Sequence, residues 1–554
     1  MDIHEVHQYK ETTVYGPGSP GGKGSGLVTL NSCALPRTNK LPTHILATGF
    51  YDRYKDRGGT LGDEELEVIR LILKDMGDIP IGVRSSATNE GAARDQKSWA
   101  IHAGENISFM LPNNHCDPAV RFEQLTSAVK HIYDHFIHRQ RGDEREKMAV
   151  VINPIPGIFD DTLAGPFYYP YISGVANSFF PHALKMQNPR EGFARIAFGH
   201  GYATVLDDFP VISMATIANP LPLKFMQIGN GQQFFYALDM TKNKGLRGEE
   251  LETMTKLHVR FANYHKIKLL GIENQIITIE ELVQNDMFGF KTNLTRIMEP
   301  IYAQIASHFQ IEFVFNIDFR NKPYEDGIFH VVQLTILPHI SYELIEFPQN
   351  VGHTYLSIRS LQGHGVKKDI KHAVVVSPFL YNKEMHDHVH NKLAAINAQM
   401  KTQNDSYMIV VPGRLGCRNR DWGIAIEYLD VDHAAAIFEF GVDIAGRAEP
   451  QLERESLTGG IYGSHFLYMI QGGYDEEQKR LQTRMFGTQG THFLTNIMSN
   501  DVFYGYIAPD HDEFDTWFFT PPDTGEPVYV LTFPKAVAIY ADSVAQRCMV
   551  VSGT

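Results

Sequence analysis

The first 180 residues contain segments whose apolar residues recur with the periods of helices and strands. Residues 63–76 (DEELEVIRLILKDM) carry apolar side chains at i, i+3, i+4 and i+7, which predicts an amphipathic helix, and residues 120–139 predict another. The strand IPIGVRSSAT lies between them. MAVVINPI, at 148–155, is a continuous apolar run typical of a strand buried on both faces. SGVANS, at 173–178, predicts a turn of small residues.

Towards residue 340 the pattern predicts one bent helix and a pair of strands. Residues 290–309 have helical periodicity, with a bend expected at Pro300. IEFVFNIDF at 311–319 and IFHVVQLTIL at 328–337 are strand-like, and the turn-rich segment RNKPYEDG connects them. We therefore expect a β-hairpin here.

Residues 341–370 show no strong pattern, and we interpret them as a linker. Beyond it, segments typical of strands alternate with a helix, which predicts an α/β domain. These segments are HAVVVSPF, the helix at 383–400, YMIVVPGRLG and AAAIFEFG. The chain is thus predicted to be an α/β (α+β) protein, with an N-terminal unit at 1–340 and a smaller α/β C-terminal domain at 371–554.

Composition limits the class of protein. The chain has 554 residues, of which 43% are hydrophobic, enough for a sizeable core divided among two to four domains. Its net charge of −14 argues against a nucleic-acid-binding protein, which needs a basic face. We find no apolar run of 18 residues and no signal peptide, so no membrane span is expected. The 4 cysteines are dispersed, which favours the reducing cytoplasm over a disulfide framework.

A glycine-rich segment near the N-terminus is a candidate phosphate site. GGKGSGL contains Gly22 and Lys23, where glycines permit close approach of the backbone to a polyphosphate and the lysine supplies charge. The spacing differs from the P-loop motif. Taken alone, a flexible loop is the simpler interpretation.

Two further segments carry candidate chemistry. VRSSATNEG places Arg84 at a strand end beside Ser85, where a guanidinium grips phosphate oxygens or forms a structural ion pair. Glu312 and Gln333 lie on the two predicted hairpin strands, and their oxygens would suit Mg²⁺ if both faced one cleft. An ordinary hairpin with one polar face remains the alternative.

Taken in order, these segments resemble the ATP-grasp nucleotide-binding unit of the pyruvate phosphate dikinase and phosphoenolpyruvate synthase family. GGKGSGL resembles its lysine loop, VRSSATNEG its RSSA segment, and Ala103-Gly104 the Ala-Gly after it. MAVVINPI resembles the strand leading to the adenine pocket, SGVANS the SGVAF-type turn, and the hairpin the metal-binding strands.

The resemblance implies a role for each matching residue. Lys23 and Arg84 would hold the phosphates of ATP, with Gly22 and Ser85 beside them. Glu312 and Gln333 would hold Mg²⁺. The remaining cofactor-binding positions are Asn153 and Ile155 at the adenine, and Ser173, Gly174 and Ser178 at the phosphate end.

The chain departs from the family at two places within this unit. The family has Q-x-R-P after the last strand, whereas here Thr335 replaces the arginine that meets the terminal phosphate. Losing that guanidinium removes stabilisation of the transition state unless another cation substitutes. FGHGYATV, at 198–205, also differs, because relatives have an acidic residue or a lysine near Tyr202.

The C-terminal part lacks the family's other domains. It contains no G-G-x-T-S-H-A-type stretch and is too short for both a swivelling domain and a barrel, so we do not expect this chain to be a complete phosphoenolpyruvate synthase. VPGRLGCRNRDWGI and QGTHFLTNIMSNDVFYGYI resemble the tail of bacterial phosphoenolpyruvate synthase-like proteins. Arg414 there is a candidate anion contact. His492 is a candidate acid, base or phosphoryl acceptor, or simply part of a capping turn.

A short histidine-rich segment, HDHVH, begins the helix predicted at 383–400. His386 and His390 stand at i and i+4, a spacing that suits a metal ion. A solvated first helical turn is the favoured interpretation.

We therefore expect an ATP- and Mg²⁺-dependent phosphotransferase. Assembly into a homo-oligomer is left open by the sequence. Its acceptor would be a small molecule, water, a partner protein or His492. The alternative is a nucleotide-binding regulatory or scaffold protein with a degenerate site, which Thr335 favours. An ATP-grasp ligase ranks lowest.

Overall fold

A computed structural model describes most of the chain. The described residues are 6–88, 106–139, 146–162, 164–178, 192–206, 211–214, 232–245, 248–273, 275–320, 324, 326–336, 345–359, 361–416, 423–440, 493, 497, 500, 502–507, 512–522, 525–542, 545 and 547–553. The architecture is mixed α/β with several sheets. In the described part of the chain no helix is both long and apolar enough to cross a membrane.

The N-terminal residues build a six-stranded sheet with helices on both faces. Its strands are β1 (Val6–Tyr9), β2 (Thr12–Tyr15), β3 (Thr43–Leu46), β4 (Ile81–Ala87), β5 (Ser108–Leu111) and β6 (Met148–Pro154), in the order β1-β2-β3-β6-β4-β5. The helices are α1 (Gly21–Ser32), α2 (Thr48–Asp56), α3 (Asp63–Met76) and α4 (Pro118–Arg139). Strand β6 has Val151 packed towards α1 and Val150 towards α2 to α4, which confirms that both of its faces are buried.

Three more sheets follow among the described residues of the N-terminal half. Their elements are β7 (Ile158–Thr162), β8 (Gly165–Tyr169), β9 (Ile172–Asn177), β10 (Phe193–Phe198), α5 (Tyr202–Leu206), β11 (Ile212–Met214), β12 (Phe234–Asp239), β13 (Met254–His258), α6 (Tyr264–Lys268), β14 (Ile272–Glu273), β15 (Ile276–Ile277), α7 (Glu280–Gln284), α8 (Phe290–Ile305), β16 (Phe309–Asn316) and β17 (Ile328–Ile336). One sheet has the order β11-β10-β9-β16-β17 and another β13-β12-β8-β7, while in the third β14 pairs with β15. The predicted hairpin is confirmed, because β16 and β17 pair in antiparallel.

Two predictions of local structure in this half are wrong. SGVANS is not a turn but most of β9, a buried strand between β10 and β16. Its small residues serve packing, since a Cβ on Gly174 would lie 2.5 Å from the Phe313 ring and 2.8 Å from the Arg195 carbonyl oxygen. GGKGSGL is not a loop but the first turns of α1.

The C-terminal residues form one nine-stranded mixed sheet. Its elements, with α9 and the short pair β22 and β23, are β18 (His353–Ile358), β19 (Leu361–Gln362), β20 (Gly365–Val376), α9 (His386–Gln403), β21 (Tyr407–Pro412), β22 (Arg414–Leu415), β23 (Gly423–Ile424), β24 (Ala434–Phe440), β25 (Phe503–Ile507), β26 (Glu513–Phe514), β27 (Val528–Asp542) and β28 (Arg547–Ser552). The order is β19-β25-β24-β21-β20-β27-β28-β18-β26, with parallel pairing from β20 through β25.

The linker predicted at 341–370 is wrong from residue 353 onwards. Strand β18 pairs with β28, and β20 begins at Gly365, so both belong to the C-terminal sheet. Strand β20 was not predicted over its first residues because exposed lysines interrupt the alternation of apolar and polar residues there. Its register against β27 is also irregular. Strand β18 of the C-terminal sheet therefore begins 18 residues before the predicted boundary at 371.

The partly buried His330 makes the folded state sensitive to acid. Burial alone lowers the pKa of His330, on β17, from 6.5 to about 4, and its Nδ1 makes no hydrogen bond within the described residues. Between these pH values the unfolded chain binds a proton that the folded chain does not, so stability falls as pH falls from 6.5 to 4.

Replacing His330 with leucine should therefore reduce the loss of stability on acidification, by on the order of 3 kcal/mol at pH 4. Urea unfolding at pH 7 and pH 4 measures this difference. His265→Leu, at an exposed position, is the matched control. The prediction would be contradicted if His330→Leu lost as much unfolding free energy between pH 7 and pH 4 as the unchanged protein does.

Candidate functional site

A cleft of about 1250 Å³ lies between the six-stranded and the five-stranded sheets. Strands β4 and β6 form one wall, β9, β16 and β17 the other, and the first turn of α1 reaches it. Most of the residues singled out in the sequence line this cleft. They are Gly22, Lys23, Arg84, Asn153, Ile155, Ser173, Gly174, Glu312 and Gln333.

The N-terminus of α1 is fixed against β4 at the cleft. Ser86 Oγ donates a hydrogen bond to the Pro20 carbonyl oxygen (2.9 Å) and accepts one from the Gly24 N–H (3.0 Å). Gly21 has φ +70°, and a Cβ there would lie 1.9 Å from the Ser86 carbonyl oxygen, so the entry to the helix requires glycine. The half-buried Lys23 lies in the first turn of this helix, where the helix dipole also favours an anion.

Arg84 bridges the two walls of the cleft. Its Nη2 donates to Glu312 Oε2 (2.8 Å) and to Gln333 Oε1 (2.7 Å), and its Nη1 donates to the Val332 carbonyl oxygen (2.7 Å). The side chains of Arg84 and Glu312 are only 13% and 18% exposed. The predicted phosphate clamp and the two predicted metal ligands are thus brought together as partners of one another.

Glu312 and Gln333 stand directly opposite each other in the register of β16 and β17. One carboxylate and one amide oxygen on adjacent strands match how Mg²⁺ is bound by few protein ligands together with phosphate oxygens and water. In the described residues no cluster of three or more His, Cys, Asp and Glu side chains provides a metal site by itself. Glu312 and Gln333 therefore fit a metal ion that binds together with a phosphate ligand. Metal binding requires that the hydrogen bonds from Arg84 to these two side chains break.

The end of the cleft near β6 is apolar. Ile155 packs with Leu238, Met240 and Met254. The Ile155 N–H already donates to the Pro80 carbonyl oxygen, and its own carbonyl accepts from the Tyr168 hydroxyl. Its side chain, rather than its backbone, is therefore what a flat ring would contact.

Asn153 supplies a polar group at that apolar end. It is 3% exposed and lies opposite Gly82 in the pairing of β4 with β6. Its Nδ2 is buried and has no hydrogen-bond partner among the described residues. A buried amide N–H without an acceptor is unfavourable, so this position suits a ligand atom that accepts a hydrogen bond.

A histidine and a tyrosine of the cleft were missed as site residues from the sequence. His200 Nδ1 accepts a hydrogen bond from the Tyr202 N–H (3.3 Å), which puts the ring proton of the neutral form on Nε2. Burial and then nearby Arg84 lower the pKa of His200 to about 4. His200 is therefore a neutral donor at pH 7 and adds no positive charge. The departure of FGHGYATV from the family pattern was the signal that marked this segment.

Two of the serines predicted to bind phosphate, Ser85 and Ser178, do not line the cleft, whereas Ser173 does. Ser85 is buried on the opposite face of β4, with Oγ 3.4 Å from the Asn106 carbonyl oxygen, and it does not line the cleft. Ser178 Oγ accepts from the Phe309 N–H (2.9 Å) and also lies away from the cleft. Ser173 does line it, although its hydroxyl donates to the Gly199 carbonyl oxygen (2.7 Å).

Thr335, which stands where the family has arginine, also lines the cleft. Its side chain is 5% exposed, and its Oγ1 lies 3.4 Å from Gln333 Nε2. Within the described residues, the lysine and arginine side chains that line the cleft are Lys23, Arg84 and Arg139. Strand β17 itself carries no lysine or arginine.

His492, Ala103-Gly104 and the side chain of Arg414 lie outside the described residues. The interpretation of HDHVH as a solvated first turn is wrong for His386, which is 2% exposed and accepts a hydrogen bond from the Ala425 N–H (2.9 Å). His390 Nε2 is bonded to Asp430 Oδ2 (2.9 Å), so each ring is held by protein groups.

Comparison with known protein families finds no family that matches this chain. A search of curated protein sequences finds no match either.

Proposed function

We propose that this chain is an ATP- and Mg²⁺-dependent phosphotransferase whose N-terminal unit is an ATP-grasp domain of the pyruvate phosphate dikinase type. The observation that supports it best is the meeting of distant segments in one cleft. Lys23, Arg84, Asn153 and the pair Glu312 and Gln333 come from four separate parts of the chain, and all of them line it.

Each of these residues has a chemical task in the proposal. The first turn of α1 and Lys23 neutralise the phosphates. Ile155 packs against the adenine, and Asn153 Nδ2 donates to it. Glu312 and Gln333 would hold Mg²⁺, which supplies charge neutralisation at the transferred phosphoryl group. Arg84 turns from these two side chains towards phosphate oxygens, and catalysis consists mainly of positioning and charge neutralisation.

The second candidate is a nucleotide-binding regulatory or scaffold protein. It is favoured by Thr335, which leaves β17 without the family's guanidinium at the terminal phosphate. In that case ATP binds in the same cleft but is not consumed.

Incubation of the pure protein with Mg·ATP, followed by chromatography of the nucleotides, separates the two candidates. AMP with phosphate or pyrophosphate supports dikinase chemistry, and ADP alone points to a kinase or ligase. Tight ATP binding without any turnover across a panel of metabolites would leave only the regulatory protein.

Lys23→Ala should weaken ATP binding at least about tenfold, because one charged hydrogen bond to phosphate contributes about 1.5–3 kcal/mol. Fluorescent-nucleotide titration measures the effect. Lys74→Ala, on the exposed side of α3, is the matched control and should bind like the unchanged protein. Equal affinities of the two variants would show that the phosphate site is assigned wrongly.

A further inference from the structure

The cleft extends beyond the proposed nucleotide site to the contact between α4 and the C-terminal domain. His131, His135 and Arg139 follow each other at i, i+4 and i+8 on one face of α4, and all three line the cleft. His390, Glu427 and Tyr428 of the C-terminal domain line it as well. We call these six residues the second compartment.

One side of the second compartment donates hydrogen bonds. Arg139 Nη2 contacts Glu427 Oε2 at 2.5 Å, and the two side chains are 23% and 62% exposed, so an external anion has access to the guanidinium. His135 Nδ1 is buried with no hydrogen bond among the described residues. Burial and then Arg139 lower the pKa of His135, so its ring is neutral at pH 7. With Nδ1 buried, Nε2 is the ring nitrogen left to meet a ligand.

The other side accepts hydrogen bonds. His390 Nε2 is held by Asp430 Oδ2 at 2.9 Å, and Asp430, 12% exposed, also accepts from the Glu427 N–H at 3.2 Å. A carboxylate bonded to Nε2 keeps the proton there and leaves Nδ1 as an acceptor. The His390 side chain is 34% exposed and lines the cleft, so a ligand has access to the ring.

The volume of the cleft leaves room for two ligands. Small-molecule sites in proteins usually occupy about 300–1000 Å³, whereas this cleft measures about 1250 Å³. A nucleotide held at Lys23 and Asn153 would occupy the end between the two sheets. The second compartment would remain open to another molecule.

We propose that the second compartment binds a small anion that also carries a hydroxyl group. Arg139 and His135 bind its phosphate or carboxylate, and His390 Nδ1 accepts a hydrogen bond from its hydroxyl. This assignment rests on the proposed phosphotransferase, for which it names the class of acceptor. The anion displaces Glu427 from Arg139 when it binds.

The experiment measures binding without nucleotide, so it does not depend on turnover. Calorimetric titration compares glycerol 3-phosphate with propyl phosphate, and glycerate with propionate, to separate phosphate from carboxylate recognition. The hydroxylated member of at least one pair should bind about 3- to 10-fold more tightly, as one neutral hydrogen bond predicts. Absence of binding by all four probes at millimolar concentration would overturn the proposal.

Three variants test the assignment of residues. Arg139→Gln should weaken binding of the preferred probe about tenfold or more, and His390→Phe should abolish the preference for the hydroxyl group. Glu427→Gln should tighten binding, because it removes the internal competitor for Arg139. If Glu427 and Arg139 served only to join the domains, Glu427→Gln would not tighten binding, and that result would also overturn the proposal.

His138→Gln is the matched control, because His138 lies on the exposed side of α4 and does not line the cleft. Its affinities should equal those of the unchanged protein. Thermal melting identifies any variant that fails to fold. If Arg139→Gln does not fold, the affinity of Glu427→Gln for the preferred probe tests the role of Arg139 instead. If the anionic probes bind but ATP is never consumed, the anion site stands and the proposed phosphotransferase is refuted. If ATP is consumed but no probe binds, the phosphotransferase stands and the anion site is refuted.

Discussion

Replacing Arg84 with glutamine is expected to destabilise the fold by about 3 kcal/mol and to weaken ATP binding more than tenfold. The stability loss arises because Glu312, 18% exposed, would keep a charge without its partner. Gln333 Oε1 and the Val332 carbonyl oxygen would lose donors as well. Urea unfolding and fluorescent-nucleotide titration measure the two effects.

Two further variants test this explanation. In the Arg84→Gln background, Glu312→Gln should restore most of the stability, since the uncompensated charge is then gone. ATP binding should remain weak in that double variant. Arg320→Gln is the matched control, because Arg320 pairs with Asp318 on the exposed surface and its removal should have no measurable effect. A double variant no more stable than Arg84→Gln alone would contradict the role assigned to Glu312.

Gly26→Ala should destabilise the protein by about 1–3 kcal/mol, although alanine normally favours a helix over glycine by about 1 kcal/mol. A Cβ at Gly26 would lie 2.4 Å from the Leu334 carbonyl oxygen on β17, and backbone there cannot move without shifting α1. Lys23 lies one turn away, so ATP binding should weaken too. Thermal melting and nucleotide titration measure both changes.

Ser25→Ala provides the matched control for this position. Ser25 is exposed in the same helix, so its replacement should preserve or slightly raise stability through helix propensity alone. A Gly26→Ala protein as stable as Ser25→Ala would show that α1 does not pack closely on β17.

Elements with strong periodicity were predictable from the sequence. Helix α3 coincides with the predicted residues 63–76, and Glu312 and Gln333 lie on neighbouring strands of the predicted hairpin. Here local pattern and tertiary packing favour the same structure.

Glycine-rich and small-residue segments were not predictable, because their structure depends on distant partners. Gly174 belongs to a strand since Phe313 occupies the space of its missing side chain. Gly26 belongs to a helix since Leu334 approaches it closely. Local propensity favours turns at both places, and contacts more than 130 residues away decide otherwise.

The partners of Arg84 were likewise beyond the reach of the sequence. The sequence allowed two roles for this arginine, a phosphate clamp or a structural ion pair. In the structure it forms an ion pair with Glu312, 228 residues away. The second compartment also joins residues of α4 to residues almost 300 positions later, such as Arg139 and Glu427. Nothing in either local pattern indicates that they meet.

The bridge that Arg84 makes across the cleft has a consequence for ligand selectivity. A molecule that recruits this guanidinium replaces three existing hydrogen bonds, so its net gain is the difference between new bonds and old ones. A single negative oxygen gains little from that exchange. The proposed ligand, Mg·ATP, would replace the whole set, because it carries many closely spaced oxygens and a divalent cation to satisfy Glu312. If the proposed function is right, the Arg84 bridge should therefore favour polyphosphates over simple monoanions at the end of the cleft that holds Lys23 and Arg84, and not in the second compartment.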